Sequence, residues 1–247
     1  MTPKNKLLAI FLLFAQVTVL AQDTLKIREN DLETKRIKEG TKQYLVYIEK
    51  PDKSILDLSI WERTISFSKF DDKEVIIIEQ NWKNQDTTRQ RYVLSINGRE
   101  YFQPIYHYSK NGRGIIEAFN FYRDKIVGAD TVMRNSKKDF FLQLEEPTLN
   151  WELDVETFQL LPLENVRNFQ LNFYHPGSKS APAYYNYRVV GEEELKGTDG
   201  KRIPCWLLKI VYEEGSYATY WIAKNTREMV KMVEHSNGIT RYKLKLL

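Results

Sequence analysis

The sequence predicts a mainly β protein, a large antiparallel sheet or barrel carrying one short helix. Three observations lead there. Turn pairs recur at Asn97-Gly98, Asn111-Gly112, Asp199-Gly200 and Asn237-Gly238. Between alternating apolar runs such pairs mark tight hairpins, because the central residues must accept positive φ. The runs beside them are rich in Val, Ile, Thr, Tyr, Phe and Trp, which suit a pleated, half-buried surface. Within the runs the apolar residues recur at every second position, as Trp206, Leu208, Ile210 and Tyr212 do in IPCWLLKIVYE.

Taken in order, the chain opens on an address. Lys4 and Lys6 precede an apolar stretch from Leu7 to Leu20, and Val19-Leu20-Ala21 offers a signal peptidase its small residues. That is the pattern of a secretory signal peptide, and the apolar stretch is short for a span of ~30 Å of hydrocarbon. The expected domains are therefore a signal peptide over 1–21 and a single β-rich domain over 22–247. The expected location is outside the cytoplasm, periplasmic or secreted, and soluble once the signal is removed. Losing Lys4 and Lys6 and no acid takes the formal charge from +4 to +2. A near-neutral chain without a basic cluster is no nucleic-acid binder, and no later segment is apolar enough to span a membrane. One cysteine cannot make an intramolecular disulfide, so stability must come from the size of the core.

The charged segment DTLKIRENDLETKRIKEG reads as a strand, a short helix or a partly ordered arm. About a dozen strands follow, from SIWERTISF and KEVIIIEQNW through RYVLSI, PIYHYS, GIIEAFNFY and YYNYRVV to SYATYWIAK and ITRYKLKLL. In the last of these Thr240, Tyr242, Leu244 and Leu246 alternate with Arg241, Lys243 and Lys245. Glu214-Gly215-Ser216 reads as a further tight turn. One segment leaves the rhythm: NWELDVETFQLLPL puts Trp151, Val155, Phe158 and Leu161 at helical spacing, with Asn150 as N-cap and Pro162 as stop. It predicts a short helix over 151–161. HPGSKSAP reads as an exposed loop within the sheet.

Catalytic constellations are sparse. His107, His175 and His235 are far apart in sequence and make no zinc-ligand spacing, so no metal or cofactor is expected. Cys205 lies mid-strand between Pro204 and Trp206, where a thiol behaves as a small buried hydrophobe. G-x-S-x-G is absent, and Ser66-Phe67-Ser68-Lys69 lacks the companion motifs of S-x-x-K enzymes. Glu192, Glu193 and Glu194 alternate faces along a strand. No enzyme is expected. What remains is an aromatic load of fifteen Tyr, twelve Phe and five Trp, which serves either a packed core or an apolar pocket.

Several motifs in order carry a resemblance: Pro104; Leu161-Pro162-Leu163; Val190-Gly191-Glu192; Cys205-Trp206; and Tyr220-Trp221-Ile222-Ala223-Lys224. Over residues 55–245 the chain resembles a family of exported bacterial proteins of unknown function. Trp61, Arg63 and Ile65, then Gln80 and Trp82, then Tyr92 and Leu94, are also similar to a pattern of the periplasmic lipoprotein-localisation carriers. That resemblance implies a strongly curved antiparallel half-barrel with helix on its concave, lipid-compatible face.

Two readings follow. In the first, the protein is a non-catalytic carrier or binding module for a lipid or other apolar ligand of the cell envelope. Trp206, Leu208, Ile210 and Tyr212 then line the concave face, with Trp151 and Phe158 on the helix as a lid. In the second, the sheet is packed solid and the protein is a structural or interaction component that binds an envelope partner. An enzyme would need distant carboxylates or histidines to meet in a cleft.

Overall fold

Period-two sequence becomes sheet almost throughout. The computed structural model describes residues 24–197 and 200–246. The expected signal peptide and Asp199 of the Asp199-Gly200 turn lie outside the described residues. Sixteen strands form one sheet among those residues. The first run is β1 (Thr24–Lys26), β2 (Gly40–Glu49), β3 (Ile55–Phe70), β4 (Lys73–Asn84) and β5 (Arg91–Gly98). Then come β6 (Pro104–Asn111), β7 (Ile116–Phe121), β8 (Lys125–Gly128), β9 (Phe141–Gln143) and β10 (Leu149–Asn150). After the helix α1 (Asp154–Gln159) the chain returns through β11 (Asn168–Tyr174), β12 (Ala183–Lys196) and β13 (Arg202–Glu213). It finishes with β14 (Ser216–Ala223), β15 (Met229–Ser236) and β16 (Ile239–Lys245).

Two meanders make the sheet. Strands β2 to β9 are sequential antiparallel neighbours, and so are β11 to β16. The meanders join where β16 pairs antiparallel with β2, Leu244 opposite Leu45. At one end β1 and β10 both pair parallel with β11; at the other, β9 pairs only with β8. The ends do not meet, so the sheet is a large open, curved half-barrel. Register shifts at Val189/Gly191, Val211/Glu213 and Trp221/Ile222 supply bulges, which bend a strand and increase its twist.

The concave face holds the core. Tyr187, Val189, Leu208, Ile210 and Ile222 face it from one meander, and Tyr44, Ile65, Ile76 and Ile78 from the other. The N-terminal arm crosses the same surface as β1 and two 3-10 turns, burying Ile27, Leu32 and Ile37. The predicted helix forms as a 3-10 turn over Trp151–Leu153 running into α1, and Asn150 caps it by accepting a bond from Glu152 N at 3.0 Å. Val155 to Gln159 are all buried, so α1 sits inside the half-barrel. Each fully buried side chain of the Leu or Phe class contributes ~1.5–3 kcal/mol, and Leu153, Val155, Phe158, Leu160 and Leu161 are all wholly buried here.

Candidate binding site

Alternation puts Trp61, Arg63 and Ile65 of β3 on one face, and strict register sets them opposite Trp82, Gln80 and Ile78 of β4. The two indoles stack with centroids 3.9 Å apart and planes 5° from parallel. Cations close the stack at both ends. Lys243 of β16 lies over Trp61 at 4.8 Å, and Arg91 of β5 over Trp82 at 5.0 Å. Each cation gains from the quadrupole of the ring it covers.

Below the stack, Arg63 is buried and fully engaged. It donates to both carboxylate oxygens of Glu156 at 2.8 and 2.5 Å, to Gln80 Oε1 at 2.9 Å and to Glu152 O at 3.0 Å. Burial disfavours the guanidinium charge, but the Glu156 carboxylate outweighs it and holds Arg63 protonated. The same Gln80 oxygen accepts from Trp82 Nε1 at 3.1 Å. One bidentate pair, with its side bonds satisfied, thus ties α1 to the sheet. Beside it Glu152 pairs with Arg91 at 2.8 Å. Burial opposes the Glu152 charge, and Arg91 overrides this to bring its pKa below the usual carboxylate range.

A second buried contact holds the helix start. Asn150 uses Oδ1 for the cap, so its Nδ2 donates to His107 Nδ1 at 3.1 Å. That nitrogen must accept, which leaves His107 neutral with its proton on Nε2. Ser95 Oγ meets the same Nδ1 at 3.0 Å. His107 Nε2 is buried without a partner, and burial pushes the histidine pKa down to about 4.

Next to these anchors a cleft of about 270 Å³ opens at the rim of the half-barrel, lined among others by Trp61, Trp151, Asp154, His175, Tyr212 and Lys243. Trp151 stacks on His175 at 4.3 Å. Lys243 is only 4% exposed, and its ammonium makes no hydrogen bond or ion pair among the described residues. Burial lowers its pKa. A larger groove of about 390 Å³ lies between the N-terminal arm and the segment before β10. Its charges answer one another, Lys26 with Glu146 at 3.2 Å and Arg123 with Glu29 at 3.3 Å.

The structure places the six predicted ligand-lining residues in two groups. Trp206, Leu208, Ile210 and Phe158 lie in the packed core, with Phe158 against Tyr187 at 4.9 Å and Tyr220 at 4.7 Å. Tyr212 and Trp151 line the cleft. The sequence does not point to Arg63, Glu156 and Lys243 as site residues. Trp61, Arg63, Gln80 and Trp82 carry only a resemblance there. Their spacing of two, with a charge among apolar neighbours, was the available signal. Among the described residues no group of three or more His, Cys, Asp or Glu is placed to hold a metal ion; His235 Nδ1 lies 3.1 Å from Thr240 Oγ1. Cys205 is buried, its thiol faces Ile203 O at 3.3 Å, and burial pushes its pKa up to about 11.

Residues 43–245 match a protein family described as "Protein of unknown function (DUF3108)". The chain belongs to the DUF3108 family. The matched span contains the cleft, the stacked tryptophans and α1, and it leaves out β1 and the arm. Among solved structures, this DUF3108 chain is similar to a DUF1329 family protein from Desulfovibrio piger ATCC 29098. The two share 11% identity over 83% of this chain and 82% of that one, with a TM-score of 0.34. A comparison of the DUF3108 chain with curated proteins finds no match.

Proposed function

We propose that this protein is an exported, non-catalytic carrier or binding module for a lipid or other apolar ligand of the cell envelope. The observation that supports this most is the seating of α1. A six-residue helix is buried on the concave face of an open sheet and fastened there through Arg63–Glu156. Its apolar side chains fill volume that an acyl chain fills equally well, at ~0.8 kcal/mol per buried methylene. The ligand would enter by taking the place of α1 against Leu208, Ile210 and Tyr187. No helix among the described residues is long and apolar enough to cross a membrane.

Native mass spectrometry of protein purified without detergent, followed by solvent extraction, tests this. Adducts of lipid mass that extraction removes are the expected result. A chain that carries nothing and binds no fluorescent apolar probe removes the reading.

One observation favours the alternative, an interaction protein with a closed core. Leu56 and Leu58 near the start of β3 are about half exposed, and alternation turns them to the face opposite Trp61, Arg63 and Ile65, an apolar strip of the sort that marks contact surfaces. Crosslinking from this strip to an envelope protein, with no bound lipid, would decide for it.

A further inference from the structure

We propose that the cleft at the rim of the half-barrel binds a small zwitterion, its oxyanion on Lys243 and its primary ammonium on Asp154. The site goes beyond the carrier reading and uses α1 in the seat it holds here.

Strand register builds the floor. Lys243 of β16, Met232 of β15 and Tyr220 of β14 stand in one row across the sheet, and the next row holds Arg241 opposite Glu234. All of them line the cleft. So does Asp154 at the start of α1, which packs against β15, the strand next to Lys243. Across its two ladders Lys243 faces Val46 and Met232. Neither can answer a charge. The ammonium, on a residue 4% exposed, has no ion pair or hydrogen bond among the described residues and rests only against the face of Trp61. Its position in the sheet isolates it, and an isolated buried cation is costly. Buried polar groups in native folds are as a rule partnered, so such an exception calls for a reason.

The other charges of the cleft are matched. Arg63 pairs with Glu156, Glu152 with Arg91 and Glu234 with Arg241. What remains is one charge of each sign. Asp154 makes no ion pair among the described residues, and its carboxylate accepts one hydrogen bond, from the adjacent Val155 N at 2.7 Å. Lys243 and Asp154 thus line one cleft without pairing. A simple anion would gain Lys243 and meet the repulsion of Asp154, and a simple cation has the converse difficulty. A molecule with both charges a few bonds apart answers both. The volume of about 270 Å³ suits a small solute, with Met232 and Tyr220 as an apolar floor.

Calorimetry and tryptophan fluorescence on the full chain test this with a ruler of zwitterions: glycine, β-alanine, γ-aminobutyrate and ε-aminohexanoate. Pentanoate and butylamine, which carry one charge each, are the controls. One length is expected to bind about tenfold or more tighter than either control, the scale of one added charge contact. K243M should bring that zwitterion to the level of the amine, and D154N to the level of pentanoate. K243M exchanges an unpaired buried charge for an apolar chain of like length and should fold. If it does not, D154N carries the test, since an amide oxygen can still accept from Val155 N. Glycerophosphoethanolamine and lysophosphatidylethanolamine hold the same pair of charges without and with an acyl tail. Equal binding of the two, lost in D154N, identifies a free solute; tighter binding of the second, lost in D154N, identifies a lipid head. Zwitterions that bind no better than the controls, or bind D154N as well as the native chain, overturn the inference. The carrier reading is judged separately, by its own lipid extraction.

Discussion

Arg63 has four donors engaged in a site 2% exposed. Removing one member of a buried pair strands the other charge, at ~3–5 kcal/mol. Arg63→Ala is therefore expected to lose about that much stability in urea unfolding, and Arg63→Met paired with Glu156→Leu much less. The His107 prediction concerns pH. Its folded pKa, about 4, lies below the ordinary 6.5. Above pH 6.5 the imidazole is neutral folded or unfolded, and the stabilisation is complete. Between 6.5 and 4 the unfolded chain takes up the proton first, so stability falls with pH by up to about 3 kcal/mol. Unfolding curves from pH 7 to 4.5 should show this slope, and His107→Asn should flatten it. A proton on Nδ1 would also face the Asn150 amide donor and break the cap of α1. Single residues of this site were only half legible. Trp61, Arg63, Gln80 and Trp82 share a face by alternation alone, which the sequence displays. The partner Glu156 is 93 positions from Arg63, and local patterning carries no information over that distance. Lys243 read as one of a basic register that opposes Tyr242 and Leu244. In the structure that register faces inward, while Tyr242 stacks on Tyr47 at 4.7 Å on the other side of the sheet.

At the scale of elements, α1 is held by two buried polar contacts and an apolar underside. Glu156→Gln keeps the shape and removes the charge from one contact. Amides of α1 should then exchange with deuterium about tenfold or more faster, a loss of ~1–3 kcal/mol of local stability. Those of β13 and β14 should stay protected. Equal change in all three would mean that the helix opens only with the whole molecule. The helix itself was plain in the sequence, since Asn150, Pro162 and the spacing of Val155 and Phe158 are local signals. The hairpins divide. At Asn237-Gly238 both residues have positive φ, 50° and 74°, as the dipeptide demands. At Asn111-Gly112 the positive φ falls instead on Gly114, at 81°. Gly112 serves close approach: a Cβ there would stand 1.8 Å from Thr87 O. A dipeptide reveals turn type only where no third segment presses on it.

The whole molecule is two meanders joined at one seam, and period two could announce the strands but not that seam. The pairing of Leu244 with Leu45 joins segments whose own patterns suit almost any neighbour. A chain ending at Ser236 loses β16 and should expose the backbone edges of β2 and β15. Such long edges template pairing with other chains. Size-exclusion chromatography of that truncation should give dimers and larger species where the full chain gives a discrete peak.

The same seam sets a timetable. A ribosome makes β2 early and β16 after every other strand of the sheet, so β2 waits through nearly the whole of synthesis for its second neighbour. Until then the first meander can form hairpin by hairpin with one flank open, and the bowl beneath α1 has only half its wall. Whatever the concave face is to receive, it can be gripped from both sides only after the last strand docks. Under the export proposed above, that delay would keep the bowl unfinished until the crossing is over.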